Sequence, residues 1–210
     1  MTLLAKAAID PRMHCQPIFS LADADIWVAT DADRSDLAAF CRDNPEYDVF
    51  LTGEVPDETE WAEDFMTDLP PASFNWTHTH KLIARRHQDP AKIAAILDVT
   101  EDMIDTGVGH IGLFQIATSL QGTGFAHLLY QGLQDWLASR GMDVLRLGVL
   151  EGNPRGMAFW TRHGFLETRQ RQGTAPTGKI HQSHVMYKPL TPLTLDAYRL
   201  RVPRDDPSSS

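Results

Sequence analysis

The chain has 210 residues, 42% of them hydrophobic and 22% charged, with a net charge of −9. That is enough apolar sequence for one domain with a real core, and the sign of the charge argues against nucleic acid or an anionic membrane as the main partner. The two cysteines, Cys15 and Cys41, lack paired spacing, which excludes a disulfide scaffold or a zinc ribbon and fits a reducing compartment. No apolar run approaches the roughly 20 residues of a membrane span. Lys6 and Asp10 interrupt the start, "MTLLAKAAIDPRMH", before a signal-peptide core forms. A cytoplasmic protein is expected, with no membrane or nucleic-acid partner.

No internal repeat is visible. Residues 1–21 read as an N-terminal extension, 22–190 as one domain, and 191–210 as a C-terminal tail. "DIWVAT" (25–30) has strand character, and "DADRSDLAAFCRD" (31–43) follows as a helix with Asp31 as cap and Leu37, Phe40 and Cys41 on one face. Pro45 is read as its stop. "ETEWAEDFMTDL" (58–69) is an acidic helix ended by Pro70 and Pro71. "HTHKLIARRH" (78–87) and "AKIAAILDVT" (91–100) form a hairpin, and "GHIGLFQIA" (109–117) is the next strand. A helix over about 124–139 carries Leu128, Leu129, Leu133, Trp136 and Leu137 on one stripe, with Gly141 at its end. "DVLRLGVL" (143–150) alternates as a strand. "NPRGMAFWTRH" (153–163) is a short helix capped by Asn153, and "GFLETRQRQ" and "HVMYKPL" supply the closing strands. The tail ending "DDPSSS" reads as mobile. A strand–helix–strand crossover at 109–150 demands two parallel neighbours among antiparallel hairpins, hence a mixed α/β sheet with helices on both faces.

The turn "QGTGFA" (121–126) sits between a strand and the long helix, where backbone amides and the helix dipole favour an anion. A dinucleotide fingerprint would need a third glycine where His127 stands, and Glu151 comes late for its acidic partner. A P-loop would need Gly-Lys-Ser/Thr, which is absent. The same six residues resemble, without a gap, the Gln-x-x-Gly-x-Ala loop with which the GNAT acetyltransferase family holds the pyrophosphate of acetyl-CoA. "NPRGMAFWTRHGF" (153–165) resembles that family's Asn-x-Arg-Ala-x-x-Phe-Tyr-x-x-x-Gly-Phe segment, and "HVMYKPL" its last strand. The resemblance covers about 22–190. Within the family, "NPEY" (44–47), Gly53 and "DLPP" (68–71) look like a bacterial subgroup whose substrate is not evident.

The resemblance implies a mostly antiparallel seven-stranded sheet with helices on both faces, acetyl-CoA as co-substrate, and direct acetyl transfer to a primary amine of a small molecule or peptide. It implies cofactor contacts from Ile116, Gln121, Gly122, Thr123, Gly124, Phe125, Ala126, Asn153, Phe159 and Trp160, no metal, and a homodimer among the assemblies to test. Two positions depart from the pattern. Gly156 replaces the usual alanine. Trp160 stands where many members have the tyrosine that protonates the departing thiolate, and an indole cannot supply that proton.

An amine with a pKa of about 10 must lose a proton before it attacks. His110 lies six residues before Ile116, and a side-chain period of two places both on one strand face. The resemblance implies a general base at that register, a glutamate in histone-acetylating members, so His110 is the expected general base, acting directly or through a water. Glu101, Asp102 and Asp105 are the next candidates. His78 and His80 share a face but lack a third ligand, and His181 and His184 cannot share one. The acidic residues of 57–68 are placed to draw a cationic amine or simply to keep the surface solvated. A non-catalytic acyl-CoA-binding module, and an acyltransferase for another acyl-CoA or an alcohol, are the competing functions.

Overall fold

The computed structural model describes residues 16–175 and 177–209. Cys15 and the start of the chain, with the signal-peptide reading made on it, lie outside the described residues. The strands are β1 (Phe19–Ser20), β2 (Ala24–Val28), β3 (His78–Arg86), β4 (Asp89–Glu101), β5 (Val108–Ile116), β6 (Val144–Leu150), β7 (Leu166–Thr174) and β8 (Ile180–Pro189). The helices are α1 (Arg34–Asp43), α2 (Glu46–Thr52), α3 (Glu58–Thr67), α4 (Phe125–Ser139), α5 (Pro154–Arg162) and α6 (Leu195–Arg201). The strands form one sheet in the order β1-β2-β3-β4-β5-β6-β8-β7. Only β5 and β6 run parallel, as a strand–helix–strand crossover through α4 requires. The sheet has eight strands, not seven. The extra one is β1, from the segment read as an extension, which pairs with β2 through Phe19↔Ile26.

Each face of the sheet has its own core. On one, α4 buries Phe125, Leu129, Leu133 and Leu137 against Leu82, Leu97, Ile111 and Leu147. Leu128, expected on this stripe, is 46% exposed, because the buried stripe steps by four from Phe125 through Leu129, Leu133 and Leu137, with Tyr130 beside it. Gly132 lets β1 lie directly on α4: a Cβ there would stand 2.8 Å from Phe19 Cε2. On the other face, α1 and α3 pack Leu37, Phe40, Ala62 and Phe65 over Ile83 and Ile96. Thr30 and Asp33 form a capping box ahead of α1, and the Asp57 side chain caps α3 by accepting from the amides of Thr59 and Glu60.

Two helices lie where none was expected. Pro45 starts α2 as its N-cap residue, and Gly53 closes α2 at φ 89°. The tail is not loose. Thr194 caps α6, and Tyr198 and Val202 pack into a third cluster with Val108, Val144 and Tyr187. Asp205, fully buried, accepts from Arg146 Nε at 2.7 Å, Arg146 Nη2 at 2.9 Å and the Tyr198 hydroxyl at 2.6 Å. Among the described residues no helix is long and apolar enough to cross a membrane.

Candidate active site

The parallel pair β5–β6 separates halfway along its length. Pairing runs from Val108↔Val144 to Ile111↔Leu147 and then ends. The next residues, Gly112 and Gly148, are both exposed. Against β4 the register passes from Val99↔Ile111 to Asp98↔Leu113, so Gly112 is the extra residue of a β-bulge. Beyond it the strands bound a cavity of about 740 Å³, within the range of small-molecule sites. Residues 111–116 of β5 and 147–150 of β6 form its sides, and both faces of the sheet contribute the rest.

The bulge shifts the side-chain alternation by one. Ile111, Phe114 and Ile116 all belong to the α4 side, although 111 and 116 differ by an odd number. His110 therefore does not share a face with Ile116, which corrects the period-two expectation. His110 is absent from the cavity lining. Its Nδ1 lies 3.3 Å from Nη1 of Arg146. Burial and the neighbouring guanidinium push its pKa down to about 3. It is held neutral and away from the opening.

At one mouth of the cavity stands the turn Gln121–Ala126. Gly122 and Gly124 take φ of 78° and 92°, and neither has an atom within 4 Å of where a Cβ would sit. The amides of Gly122, Gly124 and Ala126 meet no acceptor among the described residues. Three free donors at the start of a fifteen-residue helix suit a bound anion, so this chain fits the pyrophosphate that the family motif implies. Gln121, Gly122 and Ala126 line the cavity. Thr123 and Phe125 shape the turn from behind: the Thr123 hydroxyl donates to the Leu120 carbonyl at 2.7 Å, and Phe125 is buried in the core.

Asn153, Phe159 and Trp160 form the far wall with Ile116 opposite. Asn153 Oδ1 accepts from the Gly156 amide at 2.8 Å, capping α5. A Cβ on Gly156 would come within 2.7 Å of Asn153 Nδ2, so the glycine that departs from the family pattern makes room for the cap. Trp160 is both wall and core. It is 8% exposed and meets Phe114, Tyr130, Phe159 and Phe165 at ring-centroid distances of 4.9 to 5.4 Å.

The opposite mouth is spanned by α2. At its start, Thr118 donates from its hydroxyl to Glu46 and from its amide to Asn44 Oδ1 at 2.6 Å, which ties α2 to the end of β5. At its end, Phe50 packs against Gly152 just past β6, and Lys179 of the β7–β8 turn donates to the Phe50 carbonyl at 2.6 Å. Glu46 and Tyr47 face the cavity between these anchors. Gln115 also lines it. Its Nε2 donates to the Asn44 carbonyl, but its buried Oε1 has no hydrogen-bond partner. Asp98, paired with Lys81 at 2.8 Å, lies against the vertex, 3.5 Å from where a Gly112 Cβ would be.

The remaining charged candidates are engaged elsewhere. Glu101 bonds His80 at 2.7 Å and also Arg140, Asp102 accepts from Thr77 and the Gly107 amide, and Asp105 pairs with Arg201. The arginines of α1 take part of the α3 charge, Arg34 pairing with Glu63 and Arg42 with Glu58. His184 pairs with Glu167. Among the described residues no three His, Cys, Asp or Glu side chains are grouped to hold a metal.

A family model described as the acetyltransferase (GNAT) family matches residues 26–165. No curated protein matches the sequence. Among solved structures, the spermidine N-acetyltransferase from Vibrio cholerae, in complex with CoA and spermine, superposes with a TM-score of 0.61 at 15% identity, over 81% of this chain and 97% of that one. An acetyltransferase from Thermus thermophilus gives 0.58 at 20% identity over 83% and 100%. A GNAT-family acetyltransferase from Streptococcus pneumoniae gives 0.57 at 21% identity over 80% and 100%. At these identities the likeness shows the fold. Together with the family match over two-thirds of its length, it establishes that the chain belongs to the GNAT family of acetyl-CoA-dependent acetyltransferases.

Proposed function

We propose that the protein moves an acetyl group from acetyl-CoA directly onto a primary amine of a small molecule or peptide. The observation that carries this reading is a cavity through a parted parallel strand pair, with three unpartnered amides at one mouth. The amides of Gly122, Gly124 and Ala126 hold the pyrophosphate, with Gln121, Thr123 and Phe125 fixing the turn. The pantetheine arm lies along the backbone at Ile116 between Asn153, Phe159 and Trp160. The amine enters from the α2 side and meets the thioester near Gly112 and Gly148. His110 has no part in this, because it lies outside the cavity and is held neutral by burial beside Arg146.

The test is calorimetry with acetyl-CoA, followed by a panel of primary amines assayed for thiol release and for the acetylated amine by mass spectrometry. Binding in the micromolar range, with at least one acetylated amine, is the expected result. Absence of acetyl-CoA binding, or thiol release without an acetylated product, would overturn the reading.

A further inference from the structure

Acetyl transfer leaves two protons to place. An ammonium gives up the first to water before it can attack. As the nitrogen bonds to the carbonyl carbon and the carbon–sulfur bond breaks, the nitrogen sheds a second proton and the departing sulfur gains one. Trp160 cannot supply that proton, and no other donor stands at its position. On the proposed acetyl-CoA reading, we infer that Tyr47 of α2 is the catalytic residue that protonates the departing thiolate and recovers its proton from the new amide nitrogen.

The cavity's own chemistry leads there. Its titratable lining residues are Glu46, Tyr47, Arg155 and Arg162. The Glu46 carboxylate accepts from the Thr118 hydroxyl, which occupies it at the end of β5. The guanidinium groups of Arg155 and Arg162 are hydrogen-bond donors suited to anions rather than proton shuttles. The Tyr47 phenol is neutral, carries one transferable proton, and makes no hydrogen bond among the described residues. The other tyrosines are committed elsewhere. Tyr130 donates to Gln134 and accepts from Lys188, Tyr198 donates to Asp205, and Tyr187 stacks on Tyr198 in the C-terminal cluster. None of them lines the cavity.

The fold also holds Tyr47 in place. Its helix is fastened to the end of β5 through Asn44 and Glu46 and to the end of β6 and the β7–β8 turn through Phe50. A seven-residue helix tied at both ends keeps its inward side chain over the gap. Burial and the adjacent Asp48 carboxylate raise the phenol above its ordinary range, which keeps the proton on it until a thiolate forms. The proton account closes: Tyr47 gives its proton to sulfur and takes one from nitrogen, so it leaves each turnover as it entered.

Tyr47→Phe removes one oxygen and preserves the ring, so folding is spared. With the amine that the panel identifies, its kcat should fall about a hundredfold, at the lower end for general acid catalysis because a thiolate is already a fair leaving group. Acetyl-CoA affinity by calorimetry should stay within twofold of wild type. The wild-type kcat should decline at alkaline pH as the phenol ionises, and the variant should lack that decline. Unchanged kcat, an unchanged alkaline limb, or a loss of acetyl-CoA affinity as large as the loss of kcat would each overturn the assignment to Tyr47. Failure of the wild type itself to bind acetyl-CoA would instead overturn the functional reading beneath it.

Discussion

The two halves of the β5–β6 pair share one backbone direction and opposite fates. From Val108 to Ile111 the strands are hydrogen-bonded neighbours, sealed by α6 and by the buried Arg146–Asp205–Tyr198 cluster. From Gly112 and Gly148 onward they part and enclose a cavity. A parallel pair that stops pairing exposes donors and acceptors that must find other partners. The sealed half supplies the rigidity that lets the other half stay open. Stability and ligand binding should therefore respond to different residues along the same two strands.

The largest expected effect belongs to the sealed half. Asp205→Asn leaves the Arg146 charge buried without its counter-ion and should cost about 3–5 kcal/mol, read as a fall in urea midpoint. Acetyl-CoA affinity of the folded fraction should be unchanged. If affinity falls in step with stability, the two halves are not separable. Ala126→Glu strikes the open half alone. A carboxylate in the first turn of α4 suits the helix dipole, so thermal stability should hold or rise slightly. The same charge beside the anion site should weaken acetyl-CoA binding about a hundredfold, as like charges a few ångströms apart require.

His110 sharpens the comparison through pH. Its folded pKa is about 3, while the unfolded chain titrates near 6.5. Between those values the unfolded state binds a proton that the native state does not. Stability should thus fall as pH drops below about 6.5, by up to ~1.4 kcal/mol per unit. Arg146, Asp205 and Arg204 are the charges around it. Urea titrations of His110→Gln should show a flatter acid limb, with kcat unchanged at neutral pH, and an identical limb would place the acid sensitivity elsewhere. The smallest effect is at the junction of core and cavity. Asn153→Ala should lose about 1 kcal/mol as a missing cap and several-fold in acetyl-CoA affinity. Stability loss without loss of affinity would confine Asn153 to the cap.

What is legible in the sequence is local. The turn 121–126 and the segment 153–165 are continuous stretches whose amides, caps and small residues act within a few positions, so their place at the cavity can be read directly. His110 misleads for a non-local reason. Strand alternation presumes unbroken pairing, and the bulge at Gly112 depends on how β4 meets β5. Gly112 itself is the available signal, since an isolated glycine inside a strand pattern marks a bulge. The helix α2 hides behind Pro45, which reads as a stop, though "NPEYDVFLTG" carries a proline at the start, acids in the first turn and a closing glycine. Tyr47 is hidden with it. Asp205 is masked by the Pro- and Ser-rich composition after it, and only its partner Arg146, distant in sequence, gives it a buried place.

The cavity is lined both by the turn and first residues of α4, which packs on one face of the sheet, and by α2, which is bonded through Asp48 to Trp61 of α3 on the other face. Its lining therefore draws on elements packed on both faces of the sheet. The direct transfer proposed above requires both reactants to be bound together, so initial-rate plots of one reactant at fixed levels of the other should form intersecting lines, and parallel lines would overturn it.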